Sequence, residues 1–321
     1  DQAKTDVGVK EVEKMLKSDR AQIIAGVPAS NVMMAVAPMA FEARSIVVGT
    51  NAGPTPLAGA MCNPLFVSTS FANDLGAEAT GELMTKDGIK TVDVMAPNYQ
   101  AGKDNAAGFE RTFKGKVVDT ILFKLGETDF QADISKLRSL APEAIMIFAP
   151  GASGPSFIKQ WATSGMRERV RLYTLYTIIN VTLPMIGDAA IGATQASHWN
   201  PDLANPKNQA FIKDFAAKHG QLPSFLAAQG YDAVALIASA VESVGGKVDD
   251  TLALARAMRS KPLPSVRGDL KYNVNGFPLQ PYWKIEVVMG PQGKPIERGG
   301  EQVFARADSH WEKCPPNQRV Q

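Results

Sequence analysis

Short apolar runs alternate with helical patterns along most of this chain, and that alternation narrows the fold more than any other feature. Residues 23–27, 45–48, 91–95, 117–125, 144–148 and 170–174 read as strands, most of them apolar throughout. Between them, apolar residues recur at helical spacing: Val9, Val12, Met15 and Leu16 within 6–18, and Phe130, Ile134, Leu137 and Leu140 within 129–140. Further helices are read at 103–113 and 157–164. Strands without a polar face must be covered on both sides, and strands joined by helices pair in parallel, so the fold class is α/β. At 321 residues the chain suits two domains.

After residue 200 the pattern changes. Helices are read at 208–219, 225–244 and 250–259, and residues 269–288 then read as a hairpin-like pair about Asn275–Gly276. A late antiparallel pair after a series of α/β units points to strands that cross between lobes. A net charge of +2, with acids and bases interleaved, argues against nucleic acid as a partner. No apolar run has the length of a membrane span or the form of a signal peptide. The opening DQAKTDVGV leads straight into a helix, as in a mature or trimmed form.

In open parallel sheets, ligands bind at the carboxyl ends of the strands. Those ends read VPASN (27–31), GTNAG (49–53), APNYQAG (96–102), APGASG (149–154) and TLYT (174–177). They hold hydrogen-bonding and small residues but no His, Cys, Asp, Glu or Lys; His198, His219 and His310 lie elsewhere. Acid–base or nucleophilic catalysis needs such groups, so no catalytic residue is assigned. GASGPS lacks the G-x-G-x-x-G spacing, and no Gly-rich loop ends in Lys-Ser or Lys-Thr, so no nucleotide cofactor is expected. Each loop taken alone is an ordinary β–α turn. Their recurrence at successive strand ends is what suggests a binding site.

The sharpest of these ends lies in 21–38, where the run Ile23–Val27 leads into Ser30 and Asn31. Ser favours the N-cap, the first helical N–H groups lack partners within the helix, and the helix start carries partial positive charge. That combination receives a carboxylate. Cys62 and Cys314 lack nearby His and the spacing of a zinc knuckle, so no metal site is expected. From the residues alone they are either two free thiols or a disulfide. A disulfide would contribute roughly 2–4 kcal/mol and imply an oxidising compartment.

Five segments occur in an order that resembles a known family: the strand-to-Ser-Asn unit at 23–31, APNYQAGKD at 96–104, TDFQADISKLRS at 128–139, AAQGYDA at 227–233 and RGDLKYN at 267–273. The chain resembles a periplasmic solute-binding protein of a branched-chain amino-acid-type ABC importer, of the type I fold, in its aromatic-acid-binding branch. The resemblance implies two Rossmann-like lobes with parallel sheets, joined by three hinge crossings near 67–70, 195–198 and 272–279. Lobe 1 is then 1–69 and 198–275, lobe 2 is 70–197 and 276–305, and 306–321 is a tail returning to lobe 1. A further strand–helix–strand unit is expected ahead of Asp1. The resemblance also implies a disulfide, Cys62 to Cys314, holding the tail to the first lobe.

The same resemblance implies ligand capture by hinge closure and delivery to an ABC permease, by a periplasmic monomer whose signal peptide has been removed. Ser30 and the N–H of Asn31 are expected to hold a carboxylate, with Asn51, Ala52 and Gly53 beside them and the Gln229 amide bridging an oxygen. Tyr99, Ala101, Gly102, Gly151 and Tyr176 are expected from the second lobe. Gly53 stands where amino-acid-binding relatives place a Thr for the ligand ammonium, and Tyr176 stands where they place an acid. A buried ammonium without an anion costs several kcal/mol. The expected ligand is therefore a carboxylate without an amine, such as benzoate, a hydroxybenzoate or a phenylpropanoid, with Tyr99 and Tyr176 as flat walls. Ordinary half-buried packing is the plain alternative for both tyrosines. Asp232 is expected to orient structure and Tyr231 to pack. A branched-chain amino acid or amide as ligand, or a ligand-sensing domain of a receptor, are the alternatives.

Overall fold

A computed structural model describes residues 1–320. The chain forms two compact units, and each is described by itself. Unit 1 comprises Asp1–Asn73, Leu226–Gln280 and the chain from Arg306; unit 2 comprises Asp74–Phe225 and Pro281–Ala305.

The chain enters unit 1 through α1 (Thr5–Lys17), β1 (Ile23–Ala25), α2 (Ser30–Glu42), β2 (Ile46–Gly49), α3 (Thr55–Ala58) and β3 (Phe66–Ser68). Strands β1, β2 and β3 pair in parallel in that order. The all-buried β2 shows why its sequence is continuously apolar. Successive side chains point to opposite faces: Val47 packs with Val12, Met33 and Val36, while Ile46 and Val48 pack with Leu236, Leu254 and Met258.

Unit 2 follows with α4 (Leu75–Lys86), β4 (Thr91–Pro97), α5 (Gln100–Thr112), β5 (Lys116–Phe123), α6 (Gln131–Leu140), β6 (Ala144–Phe148), α7 (Ser153–Thr163), β7 (Arg171–Leu175), α8 (Leu183–Ile186), β8 (Thr194–Ser197) and α9 (Pro206–His219). Strands β4, β5, β6, β7 and β8 pair in parallel. The chain then gives unit 1 α10 (Phe225–Ser243), α11 (Thr251–Ala257), β9 (Leu263–Ser265) and β10 (Gly268–Tyr272). Strand β11 (Pro278–Met289) pairs by its first residues with β10 and, further on, antiparallel with β8. Strand β12 (Pro295–Arg306) pairs with β11.

Several expectations shift. Helix α4 has no counterpart in the sequence reading, because nine of its residues, Gly76 and Gly81 among them, are buried and leave no amphipathic period to read. Strand β12 was also not anticipated. Met15 and Leu140, expected on buried helical faces, are each 37% exposed; both lie in the last turn of their helix. Residues 198–225, expected in lobe 1, belong to unit 2. His198 lies 5.5 Å from Phe225 and 5.8 Å from Tyr282 between ring centroids, and the Asn180 side chain donates to the Pro223 carbonyl at 2.7 Å. The remaining unit boundaries fall at 73/74 and 280/281, several residues beyond the expected ones, and at 305/306.

Candidate functional site

On unit 1, β1 ends at Ala25, two residues before the sequence reading ends it at Val27, and α2 begins at Ser30. The N-cap is Ala29, extended at φ −103° and ψ 129°, and no side chain caps the helix. Ser30 is therefore the first helical residue rather than the cap. The first bond within this helix start runs from the Met33 N–H to the Ala29 carbonyl, so the N–H groups of Ser30, Asn31 and Val32 precede the ladder. The buried Ser30 hydroxyl faces Asn73, which donates to it at 3.0 Å. The hydroxyl in turn donates to Asn73 Oδ1 across a long 3.4 Å, a bond that an incoming carboxylate would have to replace.

Asn73 also joins this helix start to the next strand end. Its Oδ1 accepts from the Gly53 N–H at 3.1 Å, and its own N–H donates to the Gly53 carbonyl at 2.7 Å. A Cβ at Gly53 would collide with the Phe71 carbonyl oxygen, so no side chain fits where amino-acid-binding relatives are expected to carry Thr. Asn51 donates to the Pro28 carbonyl at 2.9 Å, and its own carbonyl accepts from Ser70 Oγ at 2.7 Å. Gln229, fully buried on α10, donates to Ser70 Oγ at 3.1 Å. Asn73 thus ties Ser30 to Gly53, and Ser70 ties Asn51 to Gln229, with Ala52 buried in the same loop as Asn51 and Gly53. The Asn31 side chain is turned away: it donates to the Ala3 carbonyl at 2.8 Å and to Thr5 Oγ1 at 3.1 Å, leaving its N–H as the candidate contact. A cavity of about 590 Å³ beside Gln22 and Ser45 touches none of these groups; it lies at the opposite ends of β1 and β2.

On unit 2, β4 ends at Pro97 and α5 begins at Gln100, with Tyr99 extended at the N-cap. A Cβ at Gly102 would collide with the Pro97 carbonyl oxygen, so the glycine lets the helix start flush against the strand end, with Ala101 buried beside it. The half-buried Tyr99 ring lies 6.4 Å from Phe148, nearly parallel to it. Burial, and then the charge of Asp104, raise the pKa of its phenol. Asp104 itself accepts from Gln100 Nε2 at 2.9 Å. Gly151 is exposed in the turn between β6 and α7.

Tyr176 follows β7 with φ +50°, a left-handed backbone that costs a non-glycine residue about 1–2 kcal/mol. Such strain survives only where surrounding contacts impose it. The Tyr176 hydroxyl lies 3.0 Å from that of Tyr282, its ring packs 5.2 Å from Phe225, and the residue is 9% exposed. The phenol that was expected to be offered to a ligand is thus bonded within unit 2. Sequence reasoning also missed Asn73 and Ser153. The Ser153 hydroxyl is buried and has no hydrogen-bond partner among the described residues; its signal was its place in APGASG. Asp232 has the orienting role expected of it, within a buried cluster with Arg267, whereas Tyr231 is 43% exposed. Cys62 and Cys314 form the disulfide, with Cα atoms 5.5 Å apart, inside unit 1.

Comparison with known proteins places these features in context. The family model described as periplasmic binding protein matches residues 1–294. A solute-binding protein of an ABC transporter from R. palustris, solved in complex with benzoate, is 30% identical with a TM-score of 0.90, over 97% of this chain and 85% of that one. A second from R. palustris, solved with 4-hydroxybenzoate, is 25% identical with a TM-score of 0.89, over 96% and 85%. The leucine-, isoleucine-, valine-, threonine- and alanine-binding protein of Pseudomonas aeruginosa is 26% identical over 192 residues, 58% of this chain. The match spans about half the length of that curated relative, 50%.

Proposed function

This chain belongs to the periplasmic binding protein family, and on that premise we propose that it captures a small carboxylate without an amine, of the benzoate type, and delivers it to an ABC permease. Members of the family work outside the cytoplasm, and the Cys62–Cys314 disulfide suits an oxidising surrounding. The observation that carries the reading is the character of the two sets of strand ends. Unit 1 offers a helix start, where Ser30 Oγ and the Asn31 N–H receive a carboxylate. The strand ends of unit 2 offer Tyr99, Gly151 and Tyr176 and no acid. An amino acid's ammonium would be left without its anion there, at a cost of several kcal/mol. The benzoate and 4-hydroxybenzoate complexes of the two R. palustris proteins support the same ligand class.

The amino-acid name of the Pseudomonas relative supports the second reading, a branched-chain amino acid. Calorimetric titration with benzoate, 4-hydroxybenzoate and leucine separates the two. Heat with the aromatic acids and none with leucine is expected; tight leucine binding without aromatic binding would reverse the assignment. Ser30→Ala removes one hydrogen bond to a charged group, worth about 1.5–3 kcal/mol, and is expected to weaken benzoate binding about 10- to 100-fold. An unchanged affinity would place the carboxylate elsewhere.

A further inference from the structure

Asp93 lies within β4, is 0% exposed, and neither of its carboxyl oxygens has a hydrogen-bond partner among the described residues. Alternation along the strand puts it on the face of Met95, whose core includes Ile121, Ile134, Leu137 and Ile145. Its neighbour in register on β5 is Asp119, and on β6 it is Ile145. The charged groups that act on it are Asp119 from β5 and Asp133 and Lys136 from α6. The Lys136 ammonium is already ion-paired with Asp119. An ionised carboxylate in apolar packing, without donors and beside a like charge, is strongly disfavoured, so such a group keeps its proton. Burial first, and then repulsion by Asp119, push the Asp93 carboxyl up to about 7.

The position matters because β5 is an edge strand paired only with β4, and β4 leads into the Tyr99 turn. The Asn98 N–H donates to the Phe123 carbonyl at the end of β5 at 2.6 Å, so the pairing of these strands also holds the turn. We propose that Asp93 is a proton-controlled switch on the unit 2 binding surface: neutral, it lets β4 and β5 hold the Asn98–Tyr99 turn in place, and ionised, it repels Asp119 and loosens the turn, so that affinity for the aromatic carboxylate falls in alkaline surroundings. The affinity part rests on the ligand reading above; the stability part does not.

The direction follows from proton linkage. The folded state retains a proton that the unfolded chain releases near 3.8. Stability is therefore full below about pH 4, falls by up to about tenfold in the folding equilibrium per pH unit, and levels off above about pH 7. The test is denaturant unfolding of the ligand-free chain from pH 4 to 8.5, for the parent and for Asp93→Asn, with benzoate titrations at pH 6 and 8.5. Benzoate stays ionised throughout that second range, as carboxylic acids with ordinary pKa values near 4 do.

The parent is expected to lose stability between pH 4 and 7 in excess of Asp93→Asn, and to bind benzoate several-fold more weakly at pH 8.5 than at pH 6. Asp93→Asn is expected to bind it equally at both. Asp119→Asn, which keeps Asp93 but removes the repelling charge, is expected to shift the parent's stability loss to lower pH, and it serves if Asp93→Asn does not fold. Coincident stability profiles for the parent and either variant overturn the switch. An affinity change with pH that persists in Asp93→Asn overturns its coupling to the binding surface. Absence of benzoate binding at every pH overturns the ligand reading and leaves the unfolding series to decide on Asp93.

Discussion

Asp232→Ala is expected to destabilise unit 1 by about 3–5 kcal/mol, the cost of leaving one member of a buried ion pair without its partner. Asp232 on α10 is fully buried and accepts from Arg267 Nη2 at 3.0 Å, Arg267 Nε at 3.1 Å and Ser265 Oγ at 2.6 Å. Arg267 is buried too; its Nη1 donates to Gln280 Oε1 at 2.7 Å, and its Nη2 also donates to the Thr69 carbonyl at 2.6 Å. Without the carboxylate, the guanidinium keeps its burial and loses the charge that compensated it. The effect should reach the ligand surface as well. Thr69 Oγ1 bonds the Gln229 carbonyl at 3.1 Å, and the neighbouring Ser70 joins Gln229 to Asn51. Urea unfolding reads the stability loss, and a benzoate titration reads its transmission. A loss below about 1 kcal/mol would mean that Arg267 finds another acceptor or water.

Replacing Cys62 and Cys314 together by Ser is expected to cost about 2–5 kcal/mol, because the bond joins residues 252 apart and removes much freedom from the unfolded chain. The tail has other anchors. Asn275 Nδ2 donates to Asp308 Oδ2 at 2.9 Å, and the Val320 N–H donates to the Val274 carbonyl at 3.0 Å. These predict that the variant still folds, with a lower urea midpoint and faster proteolysis of the chain beyond Arg306. An unchanged midpoint would assign the tail's attachment to those bonds alone.

The alternation of apolar runs and helical periods was legible because both signals are local. It located β2, β4, β6 and the strand ends that carry Ser30, Asn51 and Tyr99. It missed α4, where burial on most sides erases the amphipathic period. The family resemblance put 198–225 in lobe 1, whereas the stretch belongs to unit 2, since nothing local in it reveals its contacts with Tyr282. The family resemblance also suggested a tyrosine wall at 176, but the hydroxyl of that side chain meets Tyr282, 106 positions later. Asn73 went unread because its bonds to Ser30 and Gly53 cross 43 and 20 residues.

By itself, the sequence determined the α/β class and the lack of His, Cys, Asp, Glu and Lys at the carboxyl ends of the strands, where we propose that the ligand binds. Tertiary structure alone decided which polar atoms stay available. It engages Asn73 with Ser30 and Gly53, bonds the Tyr176 phenol inside unit 2, and leaves the buried Asp93 carboxyl without a hydrogen-bond partner among the described residues. The physical reason is one of range. Burial period and turn chemistry are set within a few residues, whereas a strand-end polar group is satisfied by a partner that only the folded chain brings within 3 Å.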